Sequence, residues 1–68
     1  MKEVASRKVK IFKIKNRRGY AAACFNHLTE GRTPYQAYAR MRKALKRSGL
    51  SLKEVDAARA SRLLTTLR

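Results

Sequence analysis

The sequence predicts a small α+β domain: an N-terminal basic β-hairpin or three-stranded sheet packed on a helix over 33–48, followed by a second helix over 51–66. Three observations carry this prediction. A near-alternating run rich in β-branched residues ends at a glycine turn, a capped stretch in mid-chain has helical period, and a second capping signal follows Gly49. The alternative is a mostly α chain with one N-terminal strand.

Residues 1–6 show no period and are expected to be loosely ordered. From Arg7 to Arg18 there are seven cations and no acid, interleaved with Val9, Ile11, Phe12 and Ile14. β-Branched residues in near-alternation favour a strand. The alternation slips at Ile11-Phe12, where a bulge, or a strand covered on both sides, would put apolar groups on both faces. Read without a ligand, this is an edge strand guarded from aggregation by its lysines. Asn16-Arg17-Arg18-Gly19 then reads as a turn, with glycine supplying a positive φ.

Tyr20 to Glu30 admits two readings. As a helix it aligns Tyr20, Cys24 and Leu28 and ends at Gly31, but Arg17 and Arg18 then sit at the positive end of the dipole and Glu30 at the negative end. As strands, 19–25 pairs back on the first strand and 27–30 adds a third. The small alanines would then let the next helix approach closely.

That helix is the best-marked element. Thr33 caps it, Pro34 suits the first helical position, and Gln36 completes a Thr-x-x-Gln box. Ser48 and Gly49 stop it. Pro34, Ala37, Tyr38, Met41, Ala44, Leu45 and Ser48 recur at spacings of three and four and form its core stripe. The other side carries Arg40, Arg42, Lys43, Lys46 and Arg47 with no acid among them. Ser51-Leu52-Lys53-Glu54 is a second capping box, and the helix expected after it lays Ala57, Ala60, Leu63, Leu64 and Leu67 on one stripe.

At 68 residues the chain is one small domain with a marginal core, which a homodimer interface would support. Eighteen Lys and Arg face four acids, for a formal charge of +14. Self-repulsion on that scale implies a polyanionic partner, nucleic acid before an anionic membrane. No apolar run is long enough for a bilayer and the first residues lack the apolar core of a signal peptide, so a cytoplasmic protein with no membrane partner is expected. Cys24 stands alone and His27 is the only histidine. No catalytic pair, phosphate loop or metal-ligand spacing appears, and the expectation is a non-enzyme without cofactor or metal.

The expected nucleic-acid contacts are Lys8, Lys10, Lys13, Lys15, Arg17 and Arg18 on the strand and turn, with Arg32, Tyr35, Arg40, Arg42, Lys43, Lys46 and Arg47 around the helix. Cations would hold phosphates, Tyr35 a base or sugar, and Arg17 and Arg18 are the first choice for reading a guanine edge. Tyr38, on the core stripe, is expected to be buried.

Two families are similar over part of the chain. Gly19, Tyr20, Thr29, Gly31, Thr33, Pro34 and Ala37 match the Gly-Tyr and Thr-x-Gly-x-Thr-Pro-x-x-Ala pattern of HicB-type antitoxin domains, over roughly Val9 to Leu45. That resemblance implies a hairpin-led three-stranded sheet with a helix across it; integrase arm-binding domains, which lay a basic sheet into a DNA groove, share the outline. The chain also resembles ribbon-helix-helix repressors in its short basic strand and its Gly31-Arg32-Thr33 turn before a helix, which implies a dimer whose paired strands enter the major groove. The first expectation for function is therefore a small DNA-binding transcriptional regulator, with DNA favoured over RNA. The alternatives are an antitoxin or a phage- or plasmid-encoded inhibitor gripping an acidic protein, and an RNA- or ribosome-associated factor.

Overall fold

The computed structural model describes residues 2–64. It is an α+β fold whose elements are β1 (Lys2–Val4), β2 (Lys10–Lys13), β3 (Tyr20–Cys24), β4 (His27–Gly31), α1 (Pro34–Arg47), β5 (Leu50–Leu52) and α2 (Ala57–Arg62). β2, β3 and β4 form an antiparallel sheet in that order, and β1 pairs with β5 in parallel. The segment left open between helix and strand is thus two strands.

Cross-strand register divides the sheet into two faces. Ile11, Ala22 and Thr29 make one row, Lys13, Tyr20 and Gly31 another, and Cys24 sits opposite His27. This is the face under α1: Thr29 Oγ1 donates to the Ala37 carbonyl at 2.9 Å, and His27 Nε2 lies 3.2 Å from Ser48 Oγ. The stripe of α1 closes over it, with Ala37, Tyr38, Met41 and Leu45 buried against Ile11, Ala22 and Cys24. Small residues on both sides bring the two layers close. A Cβ on Gly31 would stand 2.5 Å from the Ala37 nitrogen, so only glycine fits where the strand passes beneath the first turn of α1.

Helix and turn signals act as the sequence predicts in α1 and the hairpin. Thr33 Oγ1 accepts from Gln36 N at 3.0 Å, while the Gln36 side chain reaches back to Arg32 N at 2.7 Å. Ser48 is the C-cap. Gly19 ends the β2–β3 connection with φ at +128°.

Four expectations need correction. The pairing of β2 with β3 runs from Lys10 to Lys13 without a break, so there is no bulge; Phe12 turns to the face away from α1 and is only half-buried there. Within 1–6, Lys2–Val4 is a strand and not a loose end, because Val4 is buried and β1 finds its partner in β5. Ser51 does not cap a helix: 50–52 is strand, and α2 starts after Asp56, whose carboxylate accepts from Arg59 N at 2.8 Å. α2 ends at Arg62, so Leu63 and Leu64 do not continue the expected helix; its Ala57 is exposed and only Ala60 is fully buried, while 65–66 and Leu67 lie outside the described residues. Leu64 makes a parallel bridge to Ile11 on the free side of β2.

Candidate nucleic-acid interface

On an α-helix, residues three, four and seven apart share a face. Arg40, Lys43 and Arg47 therefore line one side of α1 turned away from the sheet, and all three are exposed. Lys46 stands beside them, and Tyr35 is 42% exposed near the start of the helix. From Arg40 to Arg47 the face runs about 10 Å along the C-terminal half of the helix, at ~1.5 Å per residue.

At the N-terminal end of α1 this face runs into a cleft of about 230 Å³ lined by Ile14, Arg18, Glu30, Gly31, Arg32, Gln36 and Arg40. Three arginines meet there from three elements: Arg18 from the β2–β3 connection, Arg32 from the step between β4 and α1, and Arg40 from the helix. Arg40 Nη1 donates to the Glu30 carbonyl at 2.8 Å, which fixes that guanidinium at the cleft wall with its other donors free to point outward. The one acid is already engaged, since Arg17 Nη2 reaches both Glu30 carboxylate oxygens at 3.1 Å. Four arginines against one carboxylate leave three positive charges in excess around this cleft.

No family model, curated protein or solved structure matches the chain. Its function is therefore argued from the geometry.

The expected contacts fall into three groups. Lys13, Lys15, Arg17 and Arg18, at the end of the sheet where β2 turns into β3, stand with Arg32 and Arg40 beside the start of α1. Lys43, Lys46 and Arg47 continue along the helix, with Tyr35 at its other end. Lys8 and Lys10 lie at the far end of the sheet; Lys8 is near enough to Cys24 to act on its thiol, which burial pushes up and Lys8 pulls down. Arg42 is drawn to the other flank of α1, where its Nε donates to the Leu52 carbonyl at 3.2 Å and its Nη2 lies 3.8 Å from Glu54. It clamps β5 to the helix. A basic sheet face is not formed: away from α1 the sheet presents Phe12, Ala21, Ala23 and Leu28, with Lys10 at one corner and Glu30 at the other.

Glu30 and Gln36, whose sequence signals concern only helix ends, both line the cleft. Local spacing does not signal this, because the residues beside them come from sequence positions 14–18 and 40. His27 and Cys24 take structural places, one beside Ser48 and the other in the core. Among the described residues no three His, Cys, Asp or Glu side chains gather as metal ligands would.

Proposed function

We propose that this protein binds nucleic acid without catalysis, as a small DNA-binding regulator that grips the phosphate backbone with the arginine cleft and the outer face of α1. One observation carries the reading: Arg18, Arg32 and Arg40 converge from separate elements on one cleft whose single carboxylate is already neutralised. Forked guanidinium groups match phosphate oxygens in geometry and charge. Holding three of them together without a ligand works against folding, and a phosphate relieves the repulsion.

The test is a gel-shift salt titration on duplex DNA with the wild type and the Arg18→Gln/Arg32→Gln/Arg40→Gln triple variant. If six to ten phosphates are contacted, wild-type affinity falls by about 10³- to 10⁵-fold between 50 and 200 mM salt. The variant gives a salt slope shallower by roughly 2 to 3. A wild-type titration that stays flat overturns the proposal.

The grip of Arg17 on a carboxylate favours one other reading, an antitoxin-like or inhibitor protein whose basic end holds an acidic partner. That reading expects weak, sequence-indifferent binding to bare DNA and tight capture of one protein in a pull-down. Competition between duplex DNA and duplex RNA separates the regulator from an RNA-associated factor, since side chains do not read the deep RNA major groove.

A further inference from the structure

The face of the sheet turned away from α1 is built of two rows: Lys10, Ala23, Leu28 and Phe12, Ala21, Glu30. Ala23 gives it a low floor, while Ala21 is only 3% exposed between Phe12 and Glu30. Phe12, only half-buried, stands on the outer strand, and Leu28 is 63% exposed on the opposite one. Arg17 comes over one corner to reach Glu30, and Lys10 occupies the far corner. Glu30 also lines the arginine cleft, so the cleft and this face share an edge.

The rows are roughly 7 Å apart and the outer strands roughly 10 Å apart, giving an area on the order of 100–200 Å². A stable protein interface takes about 800 Å² from each partner. A second copy is further opposed by a charge of +14 on each chain. What does suit a small apolar face with one aromatic ring and a cation at its free corner is a nucleotide base, with its π-face on the ring and its phosphate on the cation.

We propose that this sheet face binds unpaired nucleotides, with Phe12 stacking on a base, Ala23 leaving room beside it, and Lys10 taking the adjoining phosphate. The inference rests on the nucleic-acid reading above and narrows it: a strand held in the arginine cleft passes Arg17 and lays its bases on the sheet, so single-stranded or locally melted nucleic acid is the ligand of this face.

The experiment uses the full chain and a labelled 12-nucleotide single strand beside the blunt duplex of the same sequence, read by fluorescence anisotropy. Phe12→Leu keeps the apolar volume and removes the ring; it should weaken single-strand binding by about 5- to 150-fold, leave duplex binding unchanged, and be rescued by Phe12→Tyr. Should Phe12→Leu fail to fold by circular dichroism, a bromodeoxyuridine-substituted single strand is photocrosslinked to the wild type instead, and the label should appear on the peptide containing Phe12. Single-strand affinity that is indifferent to Phe12→Leu, or crosslinks confined to 43–47, overturns the inference and leaves the face to a protein segment. The phosphate grip would then stand on its own salt dependence. Loss of all salt-sensitive binding to both ligands overturns the two readings together.

Discussion

Tyr38 is 1% exposed, and its hydroxyl donates to the Lys53 carbonyl, tying the middle of α1 to the segment after β5. Burial pushes its phenol up, opposed in lesser measure by Arg42. The unfolded phenol ionises near pH 10, so the folded state keeps its proton when the unfolded state has lost it. The stability Tyr38 contributes is therefore whole below about pH 10 and is lost as pH rises through its raised folded value. Tyr38→Phe removes that loss and also the hydrogen bond, at a cost of about 1 kcal/mol at neutral pH. Urea melts of the two proteins from pH 8 to 11 should converge; a gap independent of pH would show that the phenol does not titrate with folding. Lysine titration acts on both proteins and cancels in the comparison.

Between elements, the decisive contact is the passage of β4 beneath the first turn of α1. Gly31→Ala would press a methyl group on the Ala37 nitrogen, which is backbone and cannot swing aside. The expected cost is about 1–3 kcal/mol, seen as a fall in Tm of roughly 4–8 °C for each kcal/mol. A variant that melts with the wild type would mean that the layers separate easily. α1 itself was legible because its cap, proline, stripe and stop all lie within one short window. The sheet was legible less completely, since 20–30 fits either period and only pairing with β2 decides it. β1 and β5 were missed for a physical reason: each is three residues long and becomes a strand through a partner 48 positions away. A local capping signal at Ser51 lost to that pairing, and Asp56 capped α2 in its place. The cations could be counted from the sequence, but their division into a cleft, a helix face and a distant pair at Lys8 and Lys10 depends on the tertiary arrangement.

For the whole molecule, one net charge sets two opposite responses to salt. Added ions screen the self-repulsion of a +14 chain and should raise Tm, while they compete with bound phosphate and lower nucleic-acid affinity. Scanning calorimetry and binding over one salt series would reveal both trends, and a Tm that falls with salt contradicts the account. A saturating polyanion at 100 times its Kd should add about 2.7 kcal/mol. The parallel pairing of Lys2–Val4 with Leu50–Leu52 has a consequence during synthesis. Once outside the ribosome, Lys2–Val4 finds no companion until residue 52 has followed, so the seven cations of 7–18 stay exposed while the antiparallel sheet, and then α1, take shape. Closure of this pair waits on the translation of β5.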